Sequence, residues 1–307
     1  MDIDRIITLA SRGVRIQFLA FERSLRAVGC DLPLLVIPYD QEDGFDLPRN
    51  AEWWQKEEFT SWLKEHQAHP TMAKYVCLTE ANYAYFDTDI CFIEDCRTTL
   101  AHRTGFVVAD TELIKYGEAS TQESMEVLSR ESSLWPLRLF NTGHFASDTP
   151  LYSLADLESS CEKYKETCLL APHHEQPGIN LLALVSSVTF TNLCLPPHNM
   201  ESTMAIDYAY RDDWEETWRQ GRPYFIHYAG GRAASQYPIS RIFFSFLTES
   251  ERMELIAAEE ETKKEALYLQ KWPLLIRVLN RVVRIVDRRF YVQPKPYDLL
   301  RDEAVEQ

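Results

Sequence analysis

Apolar positions along the chain alternate between strand-like and helix-like spacing. Ile3 to Ala10 reads as a strand, with Ile6, Ile7 and Leu9 apolar, and Ser11-Arg12-Gly13 turns the chain. From Val14 to Val28 the residues Ile16, Phe18, Leu19, Leu25 and Val28 recur at near-helical spacing, and Gly29 stands at the C-cap. Pro33 to Tyr39 is apolar on both faces, the pattern of a strand buried in a parallel sheet. Strand, helix and strand in succession predict a βαβ unit and with it a parallel sheet. Asp40 to Asn50 is a polar loop. Ala51 to Leu63 is expected to be helical, with Trp53, Trp54, Phe59 and Trp62 better suited to core packing than to a sugar platform.

The stretch from Ala81 to Phe92 organises the rest. An alternating apolar run ends on Asp87-Thr88-Asp89, and Ile90-Cys91-Phe92 follows at once. This places two carboxylates at the carboxyl end of a strand, where open α/β sheets bind ligands. Side chains two residues apart in a strand share a face, so both aspartates can address one ion. Hard oxygen ligands suit Mg²⁺ or Mn²⁺ carrying a diphosphate.

Further strands are expected over Gly105 to Asp110, Val188 to Leu193 and Tyr224 to Tyr228, with a compact turn from Leu139 entering a short strand that ends at Ser147. Leu151 to Thr167 is helical, and His173 to Asn180 opens a helix that runs to about Val185. Thr111 to Ser133 is polar, either a lid or a surface helix centred on Glu123 to Arg130. From about Ile242 the pattern is helical throughout. It is acidic over Glu249 to Glu265 and basic over Trp272 to Tyr291, where Arg277, Arg281, Arg284, Arg288 and Arg289 flank an apolar stripe. The composition shift divides the chain into an α/β domain over 1–245 and a helical extension over 246–307.

Composition narrows the function classes. The chain has 307 residues, 45% hydrophobic and 26% charged, ordinary values for a soluble globular protein. Its net charge of −15 argues against nucleic acid as the main partner, for which a basic face is the footprint. The seven cysteines form no C-x-x-C pair and read as small buried residues in a reducing cytoplasm. The N-terminus lacks a signal-peptide layout, and no apolar run reaches the length of a membrane span.

Several residues carry candidate chemistry. His227 closes an apolar strand just before Gly230 and Gly231; it is either a structural histidine or a neutral imidazole ligand that joins Asp87 and Asp89 around Mn²⁺. Asn141-Thr142-Gly143 is a tight turn whose asparagine either bonds its own backbone or meets a ligand. Glu175-Gln176 begins a helix, where a negative charge complements the dipole and Pro177 fits the first turn. His173 and His174 beside Cys168 lack a second ligand pair for a metal site. By position at the ends of early strands, Thr8, Leu9, Ala10 and Ser11, with Arg15, Tyr39 and Asp40, are the candidate nucleoside contacts.

With these segments in order, residues 3 to 232 resemble glycosyltransferases of the GT-A fold, a Rossmann-like mixed α/β sheet flanked by helices. The resemblance rests on Ile6-Ile7-Thr8-Leu9-Ala10-Ser11, on Phe86-Asp87-Thr88-Asp89 as a D-x-D motif, and on Phe140-Asn141-Thr142-Gly143. It rests also on Glu175-Gln176-Pro177-Gly178-Ile179-Asn180 and on Ile226-His227-Tyr228-Ala229-Gly230. The nearest pattern is the retaining group of glycogenin and the lipopolysaccharide galactosyltransferases. That resemblance implies that Asp87, Asp89 and His227 hold Mn²⁺ (or Mg²⁺) on the diphosphate of a nucleotide-sugar, with uridine as the default base. It also places Asp87, Thr88 and Gly230 beside the nucleotide, and Asn141 and Gln176 facing the transferred sugar. The chain departs from the group in two places: Glu175 stands where aspartate is usual, and the lysine-proline-tryptophan after the late glycine is missing, where Arg232 would supply the cation.

The implied reaction expels a nucleoside diphosphate as an acceptor hydroxyl attacks the anomeric carbon. In a retaining course the leaving phosphate takes the proton with Gln176 at the sugar face; in an inverting course Glu175 or Asp110 is the candidate base. A nucleotidyltransferase making nucleotide-sugars is the near rival, but it would show a glycine-rich basic loop after the first strand. A non-catalytic nucleotide-sugar-binding module is the rival of another class. The acceptor is a sugar, a lipid-linked group or a protein. The basic C-terminal helix either packs on the catalytic domain, its arginines paired with Glu249 to Glu265, or lies on the cytoplasmic membrane face. If it binds membrane, the full chain pellets with anionic vesicles and a chain ending near residue 245 does not; equal pelleting of the two leaves the packed arrangement.

Overall fold

β1 (Arg5–Ala10), α1 (Arg15–Ala27) and β2 (Leu34–Pro38) form the predicted βαβ unit, with β1 and β2 parallel and Ile7 opposite Leu35. The computed structural model describes residues 1–39, 44–110, 121–172, 174–218, 221–229 and 237–269. Gly29 takes φ +83° at the end of α1, a conformation that a side chain would strain. The expected helix over Ala51 to Leu63 begins instead as a strand. β3 (Ala51–Trp53) adds to β2 at the sheet edge, and only then does α2 (Glu57–Glu65) start. A hydrogen bond from Trp54 N to Val36 O and the packing of Trp53 on Phe45 hold this segment extended, so tertiary pairing overrides the helical spacing of its aromatics.

A 3₁₀ segment, Pro70–Thr79, then runs through the interior and leads to β4 (Tyr83–Phe86). β4 is buried on both faces. Tyr83 and Tyr85 enter one core with Ile7, Phe145 and Leu181, while Ala84 and Phe86 enter the other with Ile6, Phe18 and Phe92. β5 (Ile90–Phe92) leaves this sheet, α3 (Cys96–Leu100) follows, and β6 (Phe106–Val108) rejoins it. α4 (Gln122–Glu131) occupies the helical part expected before residue 133; positions 111–120 lie outside the described residues. Then come β7 (His144–Ser147), α5 (Leu154–Lys163), α6 (Lys165–Cys168), α7 (Glu175–Val185), β8 (Phe190–Asn192), β9 (Phe225–His227), α8 (Ser240–Ser245) and α9 (Glu249–Leu269).

The main sheet has seven strands in the order β3-β2-β1-β4-β7-β6-β8, with β7 antiparallel to β4 and β6, and a separate two-stranded sheet joins β5 and β9. The compact first unit covers Met1–Arg252. Within it, Arg23 on α1 grips both oxygens of Glu251 at 2.6 and 2.8 Å and the Phe246 carbonyl at 2.8 Å. The basic stretch over Trp272 to Tyr291 lies outside the described residues. Among the described residues, no helix is long and apolar enough to cross a membrane.

At the centre of the sheet, His144 is buried and stacked on Phe86. Its Nδ1 meets the Tyr85 carbonyl at 2.9 Å. A carbonyl only accepts, so Nδ1 carries the proton and Nε2 accepts from the Tyr224 hydroxyl. Burial pushes the His144 pKa down to about 3, which keeps the ring neutral. Tyr224→Phe leaves Nε2 buried without a donor, and urea denaturation is expected to show a loss of about 1–3 kcal/mol.

Candidate active site

β4 ends at Phe86, and Asp87-Thr88-Asp89 forms a turn rather than the end of the strand itself. The two aspartates therefore do not share a face through strand alternation; the turn and its neighbours aim them. Asp87 N donates to Gly143 O at 2.8 Å. The antiparallel pairing of β5 and β9 sets Ile90 opposite His227, and Tyr228 N donates to Asp89 O at 2.9 Å. This register delivers His227 to Asp89 across the long separation in sequence. His227 N also donates to Thr203 O at 2.7 Å, which fixes the strand on its other side.

Oxygen and nitrogen atoms of Asp87, Asp89 and His227 lie within 4.8 Å of one another. His227 Nε2 is 3.2 Å from Asp89 Oδ1, yet that oxygen is buried and makes no hydrogen bond of acceptable geometry. A buried carboxylate oxygen without a donor is costly, and a divalent cation is the natural occupant of such a cage. Burial alone lowers the His227 pKa, but Asp89 outweighs it and the ring sits above its ordinary value; Asp89 is held down by His227 against its own burial. The donor set therefore fits Mn²⁺ or Mg²⁺, with the imidazole favouring Mn²⁺. Gly143 is required beside it: a Cβ there would come 2.2 Å from His227 Cε1.

Asp87 has a second set of partners. The Tyr85 hydroxyl donates to Asp87 Oδ1 at 2.6 Å, and the Lys74 ammonium reaches the same oxygen at 3.1 Å. Lys74 also meets Glu175 Oε1 at 2.9 Å and is only 2% exposed. Burial acts to lower the Lys74 pKa, but Asp87 and Glu175 outweigh it and raise it above the ordinary value. Glu175, which burial would raise, is held down to about 2 chiefly by the Lys74 charge. Sequence reasoning passed over Lys74; its one signal is a lone cation inside the apolar run Met72 to Leu78.

The Asn-Thr-Gly turn is braced by α7. Gln176 Nε2 donates to Phe140 O at 2.5 Å, and Gln176 Oε1 accepts from Thr142 N at 3.0 Å. Buried Asn180 completes the brace, accepting from Phe140 N at 2.9 Å and donating to its carbonyl at 3.0 Å. The Gln176 amide is thus spent on the turn. Asn141 Oδ1 accepts from Gly143 N at 2.8 Å, closing an Asx turn, while Asn141 N donates to Asp110 Oδ2 at 2.6 Å. Among the described residues, the Asn141 side-chain amide nitrogen donates no hydrogen bond.

The expected nucleoside contacts divide. Thr8 is fully buried in β1, its hydroxyl without a partner, and Ala10 is buried beside Tyr39, whose N donates to Ala10 O at 2.9 Å. Leu9, Ser11, Arg15 and Tyr39 are half-buried, and the Tyr39 hydroxyl lies 3.4 Å from His69 Nε2. Thr88 is buried between the two aspartates of the turn. Asp40, Gly230 and Arg232 lie outside the described residues.

No family model matches the chain, and no curated protein matches it by sequence. Solved structures do. Galactosyltransferase LgtC in complex with donor and acceptor sugar analogues superimposes with a TM-score of 0.51 at 13% identity, over 83% of this chain and 95% of LgtC. An active-site mutant of LgtC gives 0.50 at 12% identity, over 81% and 99%. The bifunctional glycosyltransferase WbbM gives 0.54 at 12% identity over 84% of this chain, which spans about half (52%) of WbbM. The fold is that of the GT-A glycosyltransferases.

Removing the Lys74 charge strands two carboxylates, and Lys74→Met is expected to cost about 3–5 kcal/mol in urea denaturation. The pH dependence should also weaken. With its pKa depressed from 4.5 to about 2, Glu175 contributes stability that is present above pH 4.5 and lost as the pH falls through 2. In Lys74→Met the Lys74 charge and its hydrogen bond are gone while the hydrogen bonds from Thr71 and the backbone remain, so the stability that Glu175 loses on acidification shrinks; acid titration of stability in the two proteins checks this.

Proposed function

We propose that the chain is a metal-dependent glycosyltransferase that moves a sugar from a nucleoside-diphosphate sugar, by default a UDP-sugar, to an acceptor hydroxyl. The observation that carries this reading is the cage of Asp87, Asp89 and His227 with its buried oxygen lacking a donor, at the ligand-binding end of a GT-A sheet. The likeness to LgtC bound to donor and acceptor sugar analogues supports the same substrates here.

Asp87, Asp89 and His227 would hold the divalent ion. Bound there, it supplies positive charge to the diphosphate of the donor. Lys74 and Tyr85 orient the Asp87 carboxylate, and the turn at Asn141 presents amide donors to the sugar. Gln176 is a positioning residue: it holds the turn rather than reaching the sugar. Glu175, ion-paired with Lys74 and held near pKa 2, is a weak base at neutral pH. That favours a course in which the donor's own phosphate takes the acceptor proton, and hence retention of configuration. Asp110 already accepts from the Asn141 amide and serves the turn.

Isothermal titration with UDP, GDP and ADP, each with and without Mn²⁺, tests the reading. Metal-dependent binding of one of them is expected, lost in Asp89→Asn and in His227→Ala while circular dichroism stays native. Binding of none would sink it. Binding without hydrolysis or transfer of any UDP-sugar would leave a binding module.

A further inference from the structure

Cys30 and Cys96 meet away from the site just described. Cys30 follows Gly29 at the end of α1, and Cys96 is the first residue of α3. Their sulfurs lie within 4.8 Å of each other, and both residues are buried. Asp95 completes a cluster of three, but its carboxylate is committed. It caps the Arg97 amide at 3.0 Å and takes Arg97 Nε at 2.9 Å and Nη2 at 2.6 Å. Among the described residues that leaves two sulfurs and no free third ligand, an arrangement suited to sulfur–sulfur chemistry rather than to a cation.

We propose that Cys30 and Cys96 are a peroxide-sensitive dithiol that closes to a disulfide. The residues on either side of Cys30 are open to solvent. Gly29 and Asp31 are exposed, and there is open space where a Gly29 side chain would stand. The turn is held down by Arg97, which donates to Gly29 O at 3.0 Å and to Asp31 at 2.7 Å, and by Arg26, which donates to Cys30 O at 2.9 Å. The contact with Cys96, with help from a backbone hydrogen bond at Leu32, lowers the Cys30 pKa to about 7 against burial and the Asp95 charge, so a thiolate is available near neutral pH.

The steps balance. The Cys30 thiolate attacks one oxygen of hydrogen peroxide; the O–O bond breaks, Cys30 becomes a sulfenic acid, and the departing hydroxide takes a proton to form water. The Cys96 sulfur then attacks the Cys30 sulfur. The S–S bond forms, the S–O bond breaks, and hydroxide leaves with the Cys96 proton as a second water. Two thiols are oxidised to one disulfide and one peroxide is reduced to two waters. The bond would staple the end of α1 to the start of α3.

A second pair provides the internal contrast. Cys161 on α5 and Cys168 on α6 are also both buried, and there Cys161 and burial push the Cys168 thiol up. Peroxide treatment of the full chain, followed by alkylation, digestion and mass spectrometry, is expected to yield a linked Cys30–Cys96 peptide. The intact protein should lose two hydrogens, and its melting temperature should rise, both reversed by dithiothreitol. Cys161 and Cys168 should stay reduced. In Cys96→Ser, dimedone should trap a sulfenic acid on Cys30. Oxidation of half-buried Cys194 without any Cys30–Cys96 link, or linkage of Cys161 to Cys168 at the same rate, would overturn the proposal.

Discussion

A single buried ammonium sets the geometry of the site. Lys74 arrives on a 3₁₀ segment, Asp87 just after β4 and Glu175 at the start of α7, and these three segments meet at its charge. A buried ion pair adds little net stability over an apolar replacement, but losing one member of it is costly. The triad therefore acts less as a source of stability than as a constraint. It fixes which way Asp87 points, keeps Glu175 ionised and takes it out of service as a base at neutral pH.

The other half of the site depends on backbone pairing. Asp89 and His227 are neighbours because β5 and β9 leave the main sheet to pair with each other, in a register that sets Ile90 opposite His227. Gly143 lets the Asn-Thr-Gly turn lie against the imidazole, and Gln176 and Asn180 hold that turn from α7. The two halves differ in electrostatic balance. Asp87 is satisfied by a lysine and a tyrosine within the protein, while Asp89 keeps one buried oxygen without a donor. The unsatisfied half is where an outside cation gains most.

Much of the fold was legible from local pattern. The first βαβ unit, the apolar strand before Asp87, the helix opening at Glu175 and the strand ending at His227 all carry periodicity or capping signals that act within a few residues. The helix expected from Ala51 was wrong at its start because a three-residue edge strand leaves no period to read and is held only by β2. Lys74 was missed because a lysine in an apolar run looks like a flaw until its partners, contributed by two other segments, are in place.

By itself the sequence determined which residue types stand at the ends of strands, and so which chemistry the chain can host: paired carboxylates, a histidine, an amide turn, an acidic helix start. Those features are local, because strand and helix propensity and the turn residues are written within a few positions of one another. Tertiary structure alone decided how these residues are used. It spent Gln176 on a turn, neutralised Glu175 with a lysine, turned Asp87-Thr88-Asp89 out of the strand and left the Asp89 oxygen bare beside His227. Charge pairing and desolvation act between atoms brought together from distant segments, and no spacing along one segment encodes them.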